Sequence, residues 1–370
     1  MNAPHIRGTA IRSLGVRFGA ERRTNDWYAE HTPEALAAVR ERALEKAFSL
    51  SGTDATSAGF DNPMKRYVGD PFRGAKVRYK LGPGEDSRTL EYDAARDALL
   101  AAGIDPEGAP GIDAILVASW LPENWVAPGN AAYLAGRLGT LAPAFNIETA
   151  CSSGIAGMEL AEGLIAVGRY QRVLLVLSNT VSRQAEDSNS LSWISSDVAA
   201  AVILEAAPEG TIVSSAMENT SSTCDVFVHH LVPGDEGPRL EMAVGPKGAK
   251  PLRDHSGPEL VRRLCGRALD RAGVGIDELG FFGCSTPLAW FAEICSGALG
   301  VPSERVNDLF PRTGNVGLPF PLLHLYLARA DGRLRPGDLG LLYTIGSTST
   351  VGAMVVRGGE WALGPRPEGL

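Results

Sequence analysis

From about residue 89 onward the apolar positions alternate between helical spacing and short continuous runs, the order expected of an α/β protein with a parallel or mixed sheet. ALLAAGIDPEGAPGIDAILVAS, ending at Ser119, predicts a helix, an Ala-Gly stop and a buried strand. FNIETACSSGIAGMELAEGLIAVGRYQRVLLVLS predicts a strand from Ala144 to Thr149, a helix opening at Ser152-Ser153-Gly154, a stop at Gly168-Arg169 and a strand to Ser178. Upstream the pattern is weaker. Thr32-Pro33-Glu34 predicts a helix start running toward Leu50, with Pro where its missing N–H costs nothing. The Gly-, Pro- and charge-rich stretch 51–87 predicts an extended excursion.

The same order of segments returns later in the chain. ALDRAGVGIDELGFFGCS, ending at Ser285, repeats the first unit, and FPRTGNVGLPFPLLHLYLARADGRLRPGDLGLLYTIGS repeats the second. Pairing Gly168 with Gly332, both followed by Arg, pairs Cys151 with Asn315, since 332 − 168 and 315 − 151 are both 164. A duplicated unit whose halves pack about a pseudo-twofold axis places two equivalent strand-to-helix turns side by side, with Cys151 and Asn315 as neighbours. A shared α/β rhythm without duplication is the plainer alternative. Residues 1–185 are expected to form the half carrying Cys151, and 186–370 the half carrying Asn315.

Composition narrows the class. A chain of 370 residues that is 44% hydrophobic and 21% charged buries a substantial core. A formal net charge of −8 argues against a nucleic-acid partner. No apolar run reaches the length of a membrane span, and the first ten residues lack a signal-peptide core, so a cytoplasmic enzyme is expected. Five cysteines without CxxC spacing argue against a disulfide framework and a structural zinc site, and no metal or permanently bound cofactor is expected.

Cys151 stands where a predicted strand gives way to a helix. Unpaired N–H groups and the positive dipole end there favour a thiolate, and the small neighbours Ala150, Ser152, Ser153 and Gly154 leave room for a substrate. A buried core cysteine fits the same local pattern.

The segment Glu148-Thr149-Ala150-Cys151-Ser152-Ser153-Gly154 resembles the active-site turn of β-ketoacyl synthases and their thiolase-fold relatives. Ser196-Asp197-Val198-Ala199-Ala200-Ala201 is similar to a modified Gly-Asp-Gly-Ala-Gly-Ala segment of the synthase III group. Thr313-Gly314-Asn315 matches that group's Gly-Asn motif, and Tyr343-Thr344-Ile345-Gly346-Ser347-Thr348 its glycine-rich turn. The resemblance covers most of Leu90 to Arg357 and implies a thiolase fold, a duplicated αβαβα layered architecture. It further implies that Cys151 accepts an acyl group from acyl-CoA or acyl carrier protein. The amides of Cys151 and Ser347 would then hold the oxyanion, with Asn315 one of two groups that stabilise an enolate.

The second such group in the family is a His, whose position falls on Ser285. The histidines here are His5, His31, His229, His230, His255 and His324, and none has that placement. His324 is expected as a packed or surface helix residue, and His229-His230 as an exposed loop before a Pro-Gly turn. The missing His favours acyl transfer or a non-standard condensation, in specialised metabolism. A decarboxylative condensing enzyme with another base and a non-catalytic partner subunit are the alternatives. Arg73, Lys76 and Arg78 fall where the family carries its entrance arginine, and a solvated loop is the competing role. Trp120, Trp125 and Trp193 either shape an acyl pocket or pack the core. Gly245-Pro246-Lys247-Gly248-Ala249-Lys250 lacks the ending of a phosphate loop. By resemblance a homodimer is expected, and a heterodimer with another synthase-like chain is the variant.

Overall fold

The computed structural model describes residues 8–39, 63–67, 69–124, 127–220, 224, 227–233, 239–244, 257–345 and 350–370. The larger sheet contains β1 (Gly8–Phe18), β4 (Ala114–Trp120), β5 (Ala144–Asn146), β6 (Arg172–Asn179), β7 (Val198–Ala207) and β14 (Ala362–Leu363), in the order β14-β1-β7-β6-β4-β5. The second contains β8 (Ile212–Asn219), β11 (Leu279–Cys284), β12 (Leu339–Thr344) and β13 (Thr350–Arg357), in the order β11-β12-β13-β8.

The pairings of the two sheets correspond strand for strand. β1 runs antiparallel to β7, β7 antiparallel to β6, and β6 parallel to β4. In the second sheet β8 runs antiparallel to β13, β13 antiparallel to β12, and β12 parallel to β11. The parallel bridge Phe282↔Val306 stands where β4 pairs with β5. The repeat read from segment order is therefore a duplication of topology.

Helices occupy three layers. α2 (Ser87–Ala101) and α3 (Asn130–Leu138) pack on the outer face of the first sheet, sharing a cluster with Ile115, Val117, Leu174 and Val176. α5 (Pro258–Ala272) and α6 (Phe291–Leu299) cover the second sheet beside Phe282, Leu341 and Val355. α4 (Ser153–Ala166) and α7 (Phe320–Ala330) lie between the sheets, where Ile155 and Met158 share one core with Leu323, Leu327, Leu175 and Leu342. These two central helices are hydrophobic on most sides because both sheets bury them. Gly168 and Gly332 follow them with φ of +76° and +67°, the left-handed stop that Gly adopts without a Cβ penalty.

Some expectations need correction. β7 lies beyond residue 185 yet belongs to the first sheet, so the division between halves falls between β7 and β8. The excursion over 51–87 is not extended throughout, since 63–65 are helical. Its residues Val77–Lys80 form β3, paired antiparallel with β2 (Glu21–Thr24), while 51–62 lie outside the described residues. The helix opening at Pro33 is present through residue 39, after α1 (Asn25–His31), and its continuation toward Leu50 lies outside the described residues. His229 and His230 sit not in a loop but in β9 (Phe227–Val232), which forms a hairpin with β10 (Arg239–Val244). No helix among the described residues is long and apolar enough to cross a membrane.

Candidate active site

The turn carrying Cys151 is held by its own side chains. β5 ends at Asn146, earlier than expected, and the chain reaches α4 through a tight helical turn at Ala150–Ser152. Ala150 has φ of +50°, a left-handed conformation that costs a non-Gly residue about 1–2 kcal/mol. Glu148 Oε1 accepts the Ala150 N–H at 2.6 Å, Ser153 Oγ accepts the Thr149 N–H at 2.9 Å, and Ser153 Oγ donates to the Ala150 carbonyl at 2.8 Å. Ser152 Oγ donates to the Thr149 carbonyl at 2.6 Å. These bonds over-determine the strained turn and set Cys151 two residues before the first residue of α4, at its positive end.

The other thiols are differently placed. Cys265, Cys284 and Cys295 are buried, and desolvation raises the thiols of Cys265 and Cys295 above the usual range. Cys224 is exposed, whereas Cys151 is half-buried.

Three turns of the second half close on the Cys151 turn. Thr344, at the end of β12, donates its hydroxyl to the Cys151 carbonyl at 3.3 Å. The next residue, Ile345, donates its N–H to Ser285 Oγ at 3.3 Å, and Val316 donates its N–H to Thr286 Oγ1 at 3.1 Å. On the other side Gly154 lies so close to the segment after Asn315 that a Cβ there would stand 2.4 Å from Pro321 Cγ and 2.6 Å from the Leu318 carbonyl. Cys151, Ser285 and the Asn315 turn are thus connected in sequence through Thr344, Ile345 and Thr286. Ser347 lies outside the described residues.

Asn315 is fixed at both backbone and side chain. Its N–H donates to the Ile194 carbonyl at 2.6 Å, and its carbonyl accepts from Ser196 N–H at 3.0 Å. Its Oδ1 accepts the Gly317 N–H at 2.9 Å, which leaves Nδ2 as the donor end of the amide.

His324 is packed in the core, one of the two placements expected for it. Its Nε2 lies 2.9 Å from the Cys284 carbonyl and its Nδ1 3.0 Å from Asn307 Nδ2, so Nε2 carries the proton and Nδ1 accepts. Burial pushes its pKa down to about 4 against the opposing Cys284 bond. His229 is half-buried, edge-on to Trp120 with ring centroids 5.0 Å apart, and its Nε2 lies 3.0 Å from Gln184 Oε1. Burial lowers its pKa, with His230 adding to the effect. His255 lies outside the described residues.

The candidate entrance residues separate. Lys76 is exposed and Arg73 half-buried. Arg78 is not at a solvent-facing mouth: it is fully buried, with its guanidinium 4.8 Å from the ring centres of both Tyr28 and Phe72. The reason is strand periodicity, which turns Arg78 and Lys80 of β3 to one inward face. Trp193 is likewise corrected to a core residue, fully buried in that cluster, with Nε1 donating to the Asp187 carbonyl at 2.6 Å. Trp120 is half-buried against the central core, and Trp125 lies outside the described residues. Among the described residues no group of side chains has the makings of a metal site.

Comparison with known proteins places this geometry. A sequence profile of 3-oxoacyl-[acyl-carrier-protein (ACP)] synthase III matches residues 145–221, the stretch from β5 through the Cys151 turn to β8. The β-ketoacyl-[acyl-carrier-protein] synthase III of Erythrobacter litoralis is 31% identical over 289 residues, covering 77% of this chain and 88% of that protein. The chain belongs to the β-ketoacyl-acyl-carrier-protein synthase III family. The synthase III of Rhizorhabdus wittichii is 29% identical, again over 77% of this chain and 88% of that protein. Among solved structures, the synthase III of Pseudomonas aeruginosa superposes with a TM-score of 0.75 at 21% identity, covering 97% of this chain and 100% of that one. The priming β-ketosynthase of the R1128 polyketide pathway gives 0.76 at 18% identity, covering 96% and 98%. The thiolase fold expected from the motifs is therefore present.

Sequence reasoning assigned no role to Thr286 and none of its own to Thr344 within the glycine-rich turn, because a hydroxyl carries no spacing signature and both act here through bonds between distant turns.

Proposed function

We propose that the protein is an acyltransferase of the synthase III type that forms an acyl-thioester on Cys151 from acyl-CoA or acyl carrier protein and passes the acyl group to an acceptor. The observation that carries this reading is the strained Ala150–Ser152 turn at the α4 N-terminus, tied to the second half through Thr344 and Gly154. Such a turn stabilises the thiolate before reaction and presents backbone N–H groups to the developing oxyanion. The names of its relatives support a carrier-borne substrate. Lys76, exposed near the start of β3, offers positive charge for a phosphopantetheine or CoA phosphate, with Arg73 three residues before it.

The departure at Ser285 favours specialised metabolism over housekeeping chain initiation, and the kinship of fold with a priming synthase of a polyketide pathway agrees with that setting. The working form is a homodimer. β5 is the edge strand of the larger sheet, with Phe145 46% exposed and the neighbouring Leu141 fully exposed, an apolar edge of the kind that pairs with another chain.

Turnover of a panel of acyl-CoA thioesters, read as released CoA thiol, tests the proposal. Release that Cys151→Ala abolishes supports it, and equal release by the variant refutes it.

A further inference from the structure

Gly283 and His324 are fitted to each other. A Cβ on Gly283 would stand 2.8 Å from His324 Cγ and 2.9 Å from its Nδ1, so the imidazole of α7 lies directly against the backbone of β11. The rings of Phe281 and Phe320 meet it in T-shaped contacts, with centroids 6.2 and 6.1 Å away. A fully buried imidazole among aromatic rings is costly unless its nitrogens are bonded, and here both are.

The two bonds close the outer side of an edge strand. β11 is the edge of the second sheet among the described residues, and its ladder with β12 ends at Cys284↔Tyr343. Its carbonyls at Phe282 and Cys284 are taken in turn by the Asn307 N–H at 2.9 Å and by His324 Nε2 at 2.9 Å. Asn307 also holds the other side of the ring: Arg333 Nη1 donates to its Oδ1 at 3.0 Å, and its Nδ2 donates to His324 Nδ1 at 3.0 Å. Burial keeps the ring neutral, with a pKa of about 4, so Nε2 remains the donor and Nδ1 the acceptor. The Cys284 carbonyl belongs to the peptide group whose N–H, that of Ser285, donates to the Tyr343 carbonyl at 2.9 Å. The peptide that leads into Ser285 is therefore held at both ends, by α7 and by β12.

From Ser285 the hold passes to the nucleophile's turn. Ser285 Oγ accepts the Ile345 N–H at 3.3 Å, and the preceding residue, Thr344, donates to the Cys151 carbonyl at 3.3 Å. We propose that His324 is a positioning residue for acylation of Cys151: by bonding the edge carbonyl of Cys284 it fixes the Ser285 hydroxyl, and through Ile345 and Thr344 the turn that carries the thiolate. This rests on Cys151 taking the acyl group. In the step it serves, the Cys151 thiolate attacks the donor's thioester carbonyl, a new C–S bond forms, the C–S bond to CoA breaks and CoA leaves as its thiolate.

The test mixes the full-length protein with acetyl-, octanoyl- or dodecanoyl-CoA and follows the Cys151 adduct by rapid-quench mass spectrometry over a range of donor concentrations. His324→Phe keeps a ring in the pocket and removes both bonds. Its acylation rate at saturating donor is expected to fall by about 10-fold or more, since misplacing reacting atoms by about 1 Å costs about 10²-fold. The half-saturating donor concentration and the final extent of acylation should not change, whereas a loss of folded protein alone would lower the extent and spare the rate. His324→Gln, whose amide reaches the same carbonyl, is expected to recover most of the rate. Ser285→Ala is expected to slow acylation as well, and the double variant with His324→Phe to be no slower than the slower single variant, because both substitutions break one line of contacts. A His324→Phe rate equal to wild type, or single-variant losses that multiply in the double variant, overturns the inference while leaving Cys151 as the nucleophile. Should His324→Phe not fold, a Ser285→Ala rate equal to wild type overturns it. A wild-type protein that takes no acyl group from any donor overturns the reading of Cys151, and this inference with it.

Discussion

Thr344 and Cys151, 193 residues apart in sequence, are joined by one hydrogen bond of 3.3 Å from the threonine hydroxyl to the cysteine carbonyl. The bond ties the end of a strand in the second sheet to the strained turn that follows the first. Replacing Thr344 by Val keeps the shape and removes the donor. The expected result is a loss of about 1 kcal/mol in urea-unfolding stability, with slower acylation of Cys151.

Gly154 marks the closest approach of the two halves beside that turn. A Cβ there would press on Pro321 and on the backbone carbonyl of Leu318, which cannot swing aside as a flexible side chain would. Gly154→Ala is expected to lower stability by about 1–3 kcal/mol and to slow acylation by separating the turns. Thermal unfolding and CoA release measure the two effects.

Glu91 and His324 make opposite contributions to acid stability. Burial raises Glu91 from 4.5 to about 7, although Ser119, Ser178 and Asn130 all donate to its Oε1. Its contribution is therefore complete below pH 4.5 and is lost as pH rises through about 7, a change of about 3 kcal/mol. His324, lowered from 6.5 to about 4, contributes fully above 6.5 and loses that contribution as pH falls toward 4. Stability curves for Glu91→Gln and His324→Asn, each subtracted from wild type, should slope in opposite directions between pH 4.5 and 6.5.

The exposed edge of the larger sheet gives a prediction for assembly. Phe145→Glu places a charge on β5 where pairing would bury it, and sedimentation velocity should show a monomer in place of a dimer. A wild-type monomer, or a variant that remains dimeric, contradicts pairing through this edge.

Much of this architecture was legible in the sequence because it repeats. Segment order alone paired Cys151 with Asn315, and the matched strand pairings bear out the duplication. The boundary between halves was misplaced because β7 is an antiparallel return strand, and nothing local to Val198–Ala207 says which sheet it will join. Position in the family pattern puts Arg78 at the entrance, and residue type leaves Trp193 open between an acyl pocket and the core. Their fate was decided by β3 and the 191–195 segment folding over a shared aromatic cluster, a contact between stretches more than a hundred residues apart.

The most direct measurement is intact and peptide-level mass spectrometry of the protein after incubation with saturated acyl-CoA thioesters, beside Cys151→Ala. An adduct of one acyl group, mapped to the peptide containing Cys151 and missing from the variant, is the predicted result. An unmodified wild-type protein across the whole donor series, or acyl groups found on another cysteine, would contradict Cys151 as the nucleophile.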